Sequence, residues 1–127
     1  MTADDHSNEA LIAAMLAWWN RAFANGAMTP GGFAEFFTQD AAFIVNGEVR
    51  GRGPAALAAF FGGQRHVVEA AVMQLPLIKG FSAGDHVFFD YDMHIGPPAT
   101  PEIRNAKGYA RIEDGRIAHY TVNSFVR

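Results

Sequence analysis

The spacing of apolar residues changes period once along this chain. From Asn8 to Asn25, Leu11, Met15, Trp18, Trp19, Ala22 and Phe23 recur at helical intervals. Ser7 or Asn8 can cap the start, and Asn25-Gly26 supplies a left-handed stop. Thr29-Pro30 opens a second short helix that turns Phe33, Phe36 and Phe37 inward. Asp40 to Val49 reads as a strand with a turn at Gly47. Gly53-Pro54 then starts a third helix, Ala55 to Phe61, ended by Gly62-Gly63. Beyond Arg65 the period falls to two. Strands are predicted over Val67–Lys79, His86–Ile95, Ile103–Glu113 and Arg116–Val126, with hairpin turns at Gly84-Asp85 and Asp114-Gly115. Gly96 to Pro101 is a longer, stiffer loop. Helices followed by a run of antiparallel strands define an α+β class, with the helices packed on one face of the sheet. No linker, repeat or low-complexity tract interrupts residues 1–127, which are expected to form one domain.

The strand His86–Ile95 alternates strictly. Val87, Phe89, Tyr91, Met93 and Ile95 fall on one face; His86, Phe88, Asp90, Asp92 and His94 fall on the other. Two carboxylates and an imidazole in a row form either a solvated sheet face or the acid–base wall of a pocket. Pattern alone leaves both open.

Composition narrows the function classes. Half of the 127 residues are apolar, enough for a real core. Net charge is −3 and the ten basic residues are scattered, which leaves no footprint for nucleic acid or an anionic membrane. The absence of cysteine excludes disulfides and thiolate chemistry. The polar, acidic start MTADDHSNEA does not read as a signal peptide, and no apolar run approaches membrane-spanning length. A cytoplasmic protein is expected.

Four segments, WWNRAFANG, FFTQDAAFIVNGEVRGRGPAALAAFF, GDHVFFDYD and YARIEDGRIAHY, occur in an order and spacing that resemble the nuclear transport factor 2-like superfamily. The nearest branch is the SnoaL-like and ketosteroid isomerase-like group. The resemblance implies a cone: a strongly curved antiparallel sheet whose concave face and three helices enclose one pocket, and whose convex face packs against a second subunit as a homodimer.

Hairpin counting around Asp114-Gly115 sets Ile112 opposite Ile117, Ala110 opposite His119 and Gly108 opposite Thr121. Lys107, Tyr109, Arg111 and Glu113 should face water, which turns Ala106, Gly108, Ala110 and Ile112 inward and leaves empty volume above them. The inward set on the last strand is then Ile117, His119, Thr121, Asn123 and Phe125, with Tyr120 outward. In limonene epoxide hydrolases an Arg-x-Asp pair on the equivalent strand faces the pocket. Counted from the turn glycine, that pair falls on Asp90 and Asp92, so the resemblance turns the polar row inward and makes the Val87–Ile95 row a dimer surface.

The same registers disfavour the named chemistries. The epoxide hydrolases' second aspartate falls on Phe125, and their water-holding Tyr and Asn fall on Phe43 and Val45. The ketosteroid isomerase base falls on Val45, its oxyanion-hole acid on Gly108 and its tyrosine near Trp19. The acid of SnoaL-type polyketide cyclases falls on Gly108 as well. An indole can donate a hydrogen bond but cannot transfer a proton. Trp19, Val45, Gly108, Thr121, Asn123 and Phe125 remain as substrate-binding candidates.

Asp90 and Asp92 start roughly 7 Å apart along the strand, where burial and mutual repulsion would raise a carboxyl pKa. His94 can orient Asp92, and His119 can approach from another wall. Asp92, Asp90, His94 and His119 are therefore the candidate catalytic residues. Proton transfer on a small, mostly apolar substrate, of isomerase, dehydratase or hydrolase type, is one reading, with scytalone-dehydratase-like elimination as its nearest analogy. A non-catalytic ligand-binding or dimerisation module is the other. The Asp-x-His spacing is too common to carry a metal site, and no metal or other cofactor is expected. Arg50 and Arg52, flanking Gly51 ahead of a helix, can attract an anion or simply be solvated.

Overall fold

A computed structural model describes residues 2–127, with side chains from Asn8 onward. Its helices are α1 (Thr2–Asn25), α2 (Pro30–Ala34) and α3 (Pro54–Gln64). Its strands are β1 (Phe37–Val45), β2 (Glu48–Arg52), β3 (Ala71–Met73), β4 (Lys79–Ala83), β5 (His86–Ile95), β6 (Glu102–Glu113) and β7 (Arg116–Val126).

Local chemistry accounts for most boundaries. Thr29 caps α2 by accepting from the Gly32 N–H at 3.1 Å, with Pro30 in the first turn. Asn46-Gly47 and Asp114-Gly115 all have positive φ, as a two-residue hairpin turn requires. Other ends differ from the sequence expectation: the strand expected over Asp40–Val49 begins at Phe37, and after its turn the second arm runs to Arg52. Asn8 lies inside α1 and donates instead to the Gly84 carbonyl at 2.8 Å; the Ser7 side chain lies outside the described residues. Gly62 and Gly63 lie within α3, because burial of Leu57, Ala58 and Phe61 outweighs two glycines at roughly 1 kcal/mol each. The segment expected as one strand over Val67–Lys79 is split into β3 and β4. Both halves pair with the same edge of β5, and the chain leaves the ladder around Pro76, which has no N–H to give it.

The sheet runs β2-β1-β7-β6-β5-β3, with β4 also paired to β5. It curls into a half-barrel around the helices. Its pairs are antiparallel except β1 with β7, which run parallel. α1 packs across β3, β4 and β5, while α3 closes over β1 and β2. The narrow end of the cone is filled by aromatics: Phe33, Phe37, Phe43, Phe61, Phe89 and Tyr120 are all buried. Phe43 stacks on Tyr120 with centroids 4.5 Å apart and meets Phe61 edge-on at 5.0 Å.

The β6–β7 hairpin holds the main correction to the expected register. Ile112 does pair with Ile117, but Arg111 pairs with His119, so Ala118 is an extra residue on β7. From there Ala110 lies opposite Tyr120, and Gly108 opposite Val122. One inserted residue reverses every later side chain. Tyr120 and Val122 are therefore buried inside the cone, while His119, Thr121, Asn123 and Phe125 lie on the convex face.

β6 keeps its expected orientation, with Ala106, Ala110 and Ile112 buried. The space above Gly108 is not empty, however: a Cβ there would collide with the Phe89 ring and come within 2.9 Å of Val122. Glycine is needed so that Phe89 can lie across β6. Gly108→Ala is expected to destabilise the fold by about 1–3 kcal/mol through overpacking. Urea unfolding checks this, and an unchanged midpoint would show that the Phe89 contact is not restrictive.

Candidate functional site

β5 presents its apolar row to the interior. Val87 and Phe89 sit under the helices in the filled end of the cone; Tyr91, Met93 and Ile95 continue the row into a cavity of about 400 Å³. The cavity is walled by Met15, Leu16 and Trp19 of α1, Phe60 and Phe61 of α3, and Phe43 and Val45 of β1. The epoxide hydrolase register had turned Asp90, Asp92 and His94 inward. They lie on the convex face instead, because burying the alternate row would have exposed Val87, Phe89 and Tyr91 to water. The Val87–Ile95 row is accordingly core and pocket, not a dimer surface.

Of the ten residues singled out from sequence, Trp19 and Val45 line the cavity. Gly108 faces the interior beneath Phe89, away from the cavity wall. Asp90, Asp92, His94, His119, Thr121, Asn123 and Phe125 share the opposite face of the sheet. There His119 sits against the Tyr109 ring at 6.0 Å, and Lys107 lies 6.0 Å over Phe125.

The acidic pair is a hydrogen-bonded surface cluster. Asn105, 2% exposed, donates to Asp90 at 2.7 Å and to Asp92 at 3.0 Å. Lys107 adds bonds to Asp90 at 3.2 Å and to the Asn105 carbonyl at 2.8 Å, and Arg127 donates to Asp92 at 2.8 Å. The Asn105 hydrogen bond, then that of Arg127, hold the Asp92 carboxyl below its usual value. This is the reverse of the rise expected for a buried acid pair. Among the described residues, no three His, Asp or Glu side chains gather closely enough to hold a metal ion.

The polar groups that do reach the cavity are others. Tyr91 and Tyr120 meet at its wall, their hydroxyls 3.0 Å apart, with Tyr91 3% exposed and Tyr120 completely buried. Burial raises the Tyr91 phenol from 10.0 to about 12 against the opposing hydrogen bond from Tyr120. Burial also raises Tyr120 well above its usual value, reinforced by its Tyr91 neighbour. Both are neutral phenols. Only one O–H is used between the two oxygens, and the other has no acceptor among the described side chains. A second polar corner is built by Arg104, Ser124 and Asn46. Arg104 Nε donates to Ser124 Oγ at 2.9 Å and Nη2 to the Ser124 carbonyl at 3.1 Å; Asn46 Oδ1 accepts from the Ser124 N–H at 2.7 Å.

Residues 12–120 match the SnoaL-like domain. The chain belongs to that family, within the nuclear transport factor 2-like superfamily. No functionally curated protein matches this SnoaL-like sequence. Solved structures share its fold at low identity. An epoxide hydrolase of the limonene epoxide hydrolase type from M. tuberculosis aligns with a TM-score of 0.72 at 14% identity, over 96% of this chain and 85% of that one. TerC co-crystallised with polyporic acid gives 0.72 at 13%, over 95% and 92%. A ketosteroid isomerase-like protein from Catenulispora acidiphila, in complex with trimethylamine, gives 0.64 at 19%, over 85% and 82%. At such identities these likenesses show the fold of the SnoaL-like domain alone. Among its described residues no helix is long and apolar enough to cross a membrane.

Sequence reasoning missed Tyr91, Tyr120 and Arg104. Tyr91 was visible as a member of the apolar row, and Arg104 shares the parity of Ala106 and Gly108. Tyr120 had no such signal, since its direction depends on the extra residue at Ala118.

The raised phenols tie stability to alkaline pH. A proton held more tightly in the folded than in the unfolded state stabilises fully below the ordinary value of 10.0, and that contribution disappears as pH rises toward about 12. Urea midpoints are expected to fall across this window. They should fall less in Tyr91→Phe, which also loses about 1–2 kcal/mol at neutral pH by leaving the Tyr120 hydroxyl without its partner.

Proposed function

We propose that residues 1–127 act as one ligand-binding domain whose cone takes a small, mostly apolar molecule and orients it by hydrogen-bond donation from the Tyr91–Tyr120 pair. One observation carries this reading. Among the described residues lining the cavity there is no carboxylate, imidazole or lysine; the polar lining is phenol, guanidinium, amide and hydroxyl. Guanidinium groups and phenols with raised pKa values donate hydrogen bonds but do not abstract protons near neutral pH. The cavity supports binding and polarisation of a ligand oxygen rather than base-driven proton transfer. Among the two function classes open from sequence, the non-catalytic module is the better supported. A volume near 400 Å³ lies within the usual range for small-molecule sites.

The neutral fluorophore N-phenyl-1-naphthylamine tests the reading. Binding inside the cone should enhance its emission, and Val45→Phe, which narrows the cavity, should weaken binding about 10-fold or more. Asp92→Asn and His94→Gln, on the far face of the sheet, should leave it unchanged. Binding that follows the convex-face variants and ignores Val45 would reverse the reading.

The convex face supports a homodimer as its second feature. Phe81 and Phe88 are 60% and 40% exposed and stack at 5.2 Å, and Phe88 continues to Tyr109 at 5.2 Å. This aromatic stripe crosses three adjacent strands on the convex face. Sedimentation should report a dimer that Phe88→Asp converts to monomer; a monomeric parent protein would remove the proposal.

A further inference from the structure

The donors lining the cavity also specify the ligand's chemical class, an inference that rests on the binding reading above. We infer that the cone takes an apolar acid whose anionic group is held by Arg104. Three observations converge on this residue.

The first is its fixed geometry. Arg104 stands on the inward row of β6 and is held across to β7 by its two bonds to Ser124. Its third contact, Nη1 to Glu102 at 3.1 Å, leaves one N–H on each terminal nitrogen without a partner. These two N–H groups, on a guanidinium already fixed by three bonds, are charged donors for the oxygens of an anionic group.

The second is charge. The chain carries −3 overall, yet the charged residues lining the cavity, among those described, are Arg104 and Arg50. Each has a carboxylate partner at 3.1 Å, Glu102 for Arg104 and Glu48 for Arg50, and neither glutamate lines the cavity. The Glu102 side chain is 50% exposed and that of Glu48 is 71% exposed, so both carboxylates stay solvated outside the lining while the guanidiniums reach it. Asp90 and Asp92 are spent on Asn105, Lys107 and Arg127 on the other side of the sheet. The charge presented at the cavity wall is thus cationic, in an acidic protein.

The third is the rest of the wall. Trp19, Phe43, Met93 and Val122 offer apolar and aromatic surface but no further charge, so the body of the ligand must be uncharged and lipophilic. A free inorganic anion would leave that surface unfilled.

Calorimetry with 2-naphthoate, its neutral isostere 2-naphthamide, and inorganic phosphate tests the inference at neutral pH and low salt. The wild-type protein should bind 2-naphthoate about 10-fold tighter than the amide and bind phosphate undetectably. Arg104→Gln should bring the two naphthyl ligands to parity while leaving the amide within about 2-fold. Arg104→Lys, which keeps the charge and loses the fork, should fall between. Equal affinities in the wild type would overturn the acid and leave the pocket reading intact. Phosphate binding as tight as naphthoate would overturn the apolar body. A preference that survives Arg104→Gln would overturn the residue. Failure of both naphthyl ligands to bind would instead strike the pocket reading itself. The wild-type comparison needs no variant, so it stands even if Arg104→Gln does not fold.

Discussion

Burial of one row of side chains from each of β5, β6 and β7 beneath α1 and α3 is the constraint on which everything else in this fold depends. Val87, Ala110, Ile117 and Tyr120 are completely buried, and each lies on the row facing the helices. Because side chains alternate across a strand, choosing that row assigns every other position to one face or the other. The choice is energetic. Exposing Val87, Phe89 and Tyr91 in place of Asp90 and Asp92 would forfeit roughly 1.5–3 kcal/mol for each apolar side chain and bury ionised carboxylates.

Ala118 is where this constraint meets the chain's own geometry. Had β7 paired without an extra residue, His119 and Thr121 would line the cone and Tyr120 would face water. The inserted residue keeps Ile117 buried at the hairpin and then turns Tyr120 and Val122 inward as well. It thereby creates the Tyr91–Tyr120 contact, which joins β5 to β7 over the intervening β6. The same step brings Ser124 to the inner face, where it fixes Arg104. The Tyr91–Tyr120 contact and the Arg104–Ser124 corner thus both follow from a single backbone irregularity.

The two faces of the sheet have separated roles. Inside, aromatics fill the narrow end and leave the wide end hollow, with neutral donors and guanidiniums around the space. Outside, the acidic residues are neutralised in a network centred on Asn105, beside an exposed aromatic stripe. An acidic row such as Asp90-x-Asp92-x-His94 looks like catalytic machinery in one dimension. In three dimensions its carboxylates are hydrogen-bonded by an amide and two cations, and they line no cavity.

The α+β class, the limits of β5 and β7, the capped start of α2 and the two tight hairpins were legible in the sequence, because periodicity, proline, and Asn-Gly or Asp-Gly pairs act over a few residues. So was the inward row of β6. Alternation on β5 separated the two rows and left open which of them faced inward. What only the tertiary structure decided was the direction of Tyr120, the filling of the space above Gly108 by Phe89, and the meeting of Arg104 with Ser124. A bulge costs too little and leaves too faint a local mark to be read from residue types. Which side chain fills a gap depends on strands that are neighbours in space and distant in sequence, so neither was written in any short stretch of the chain.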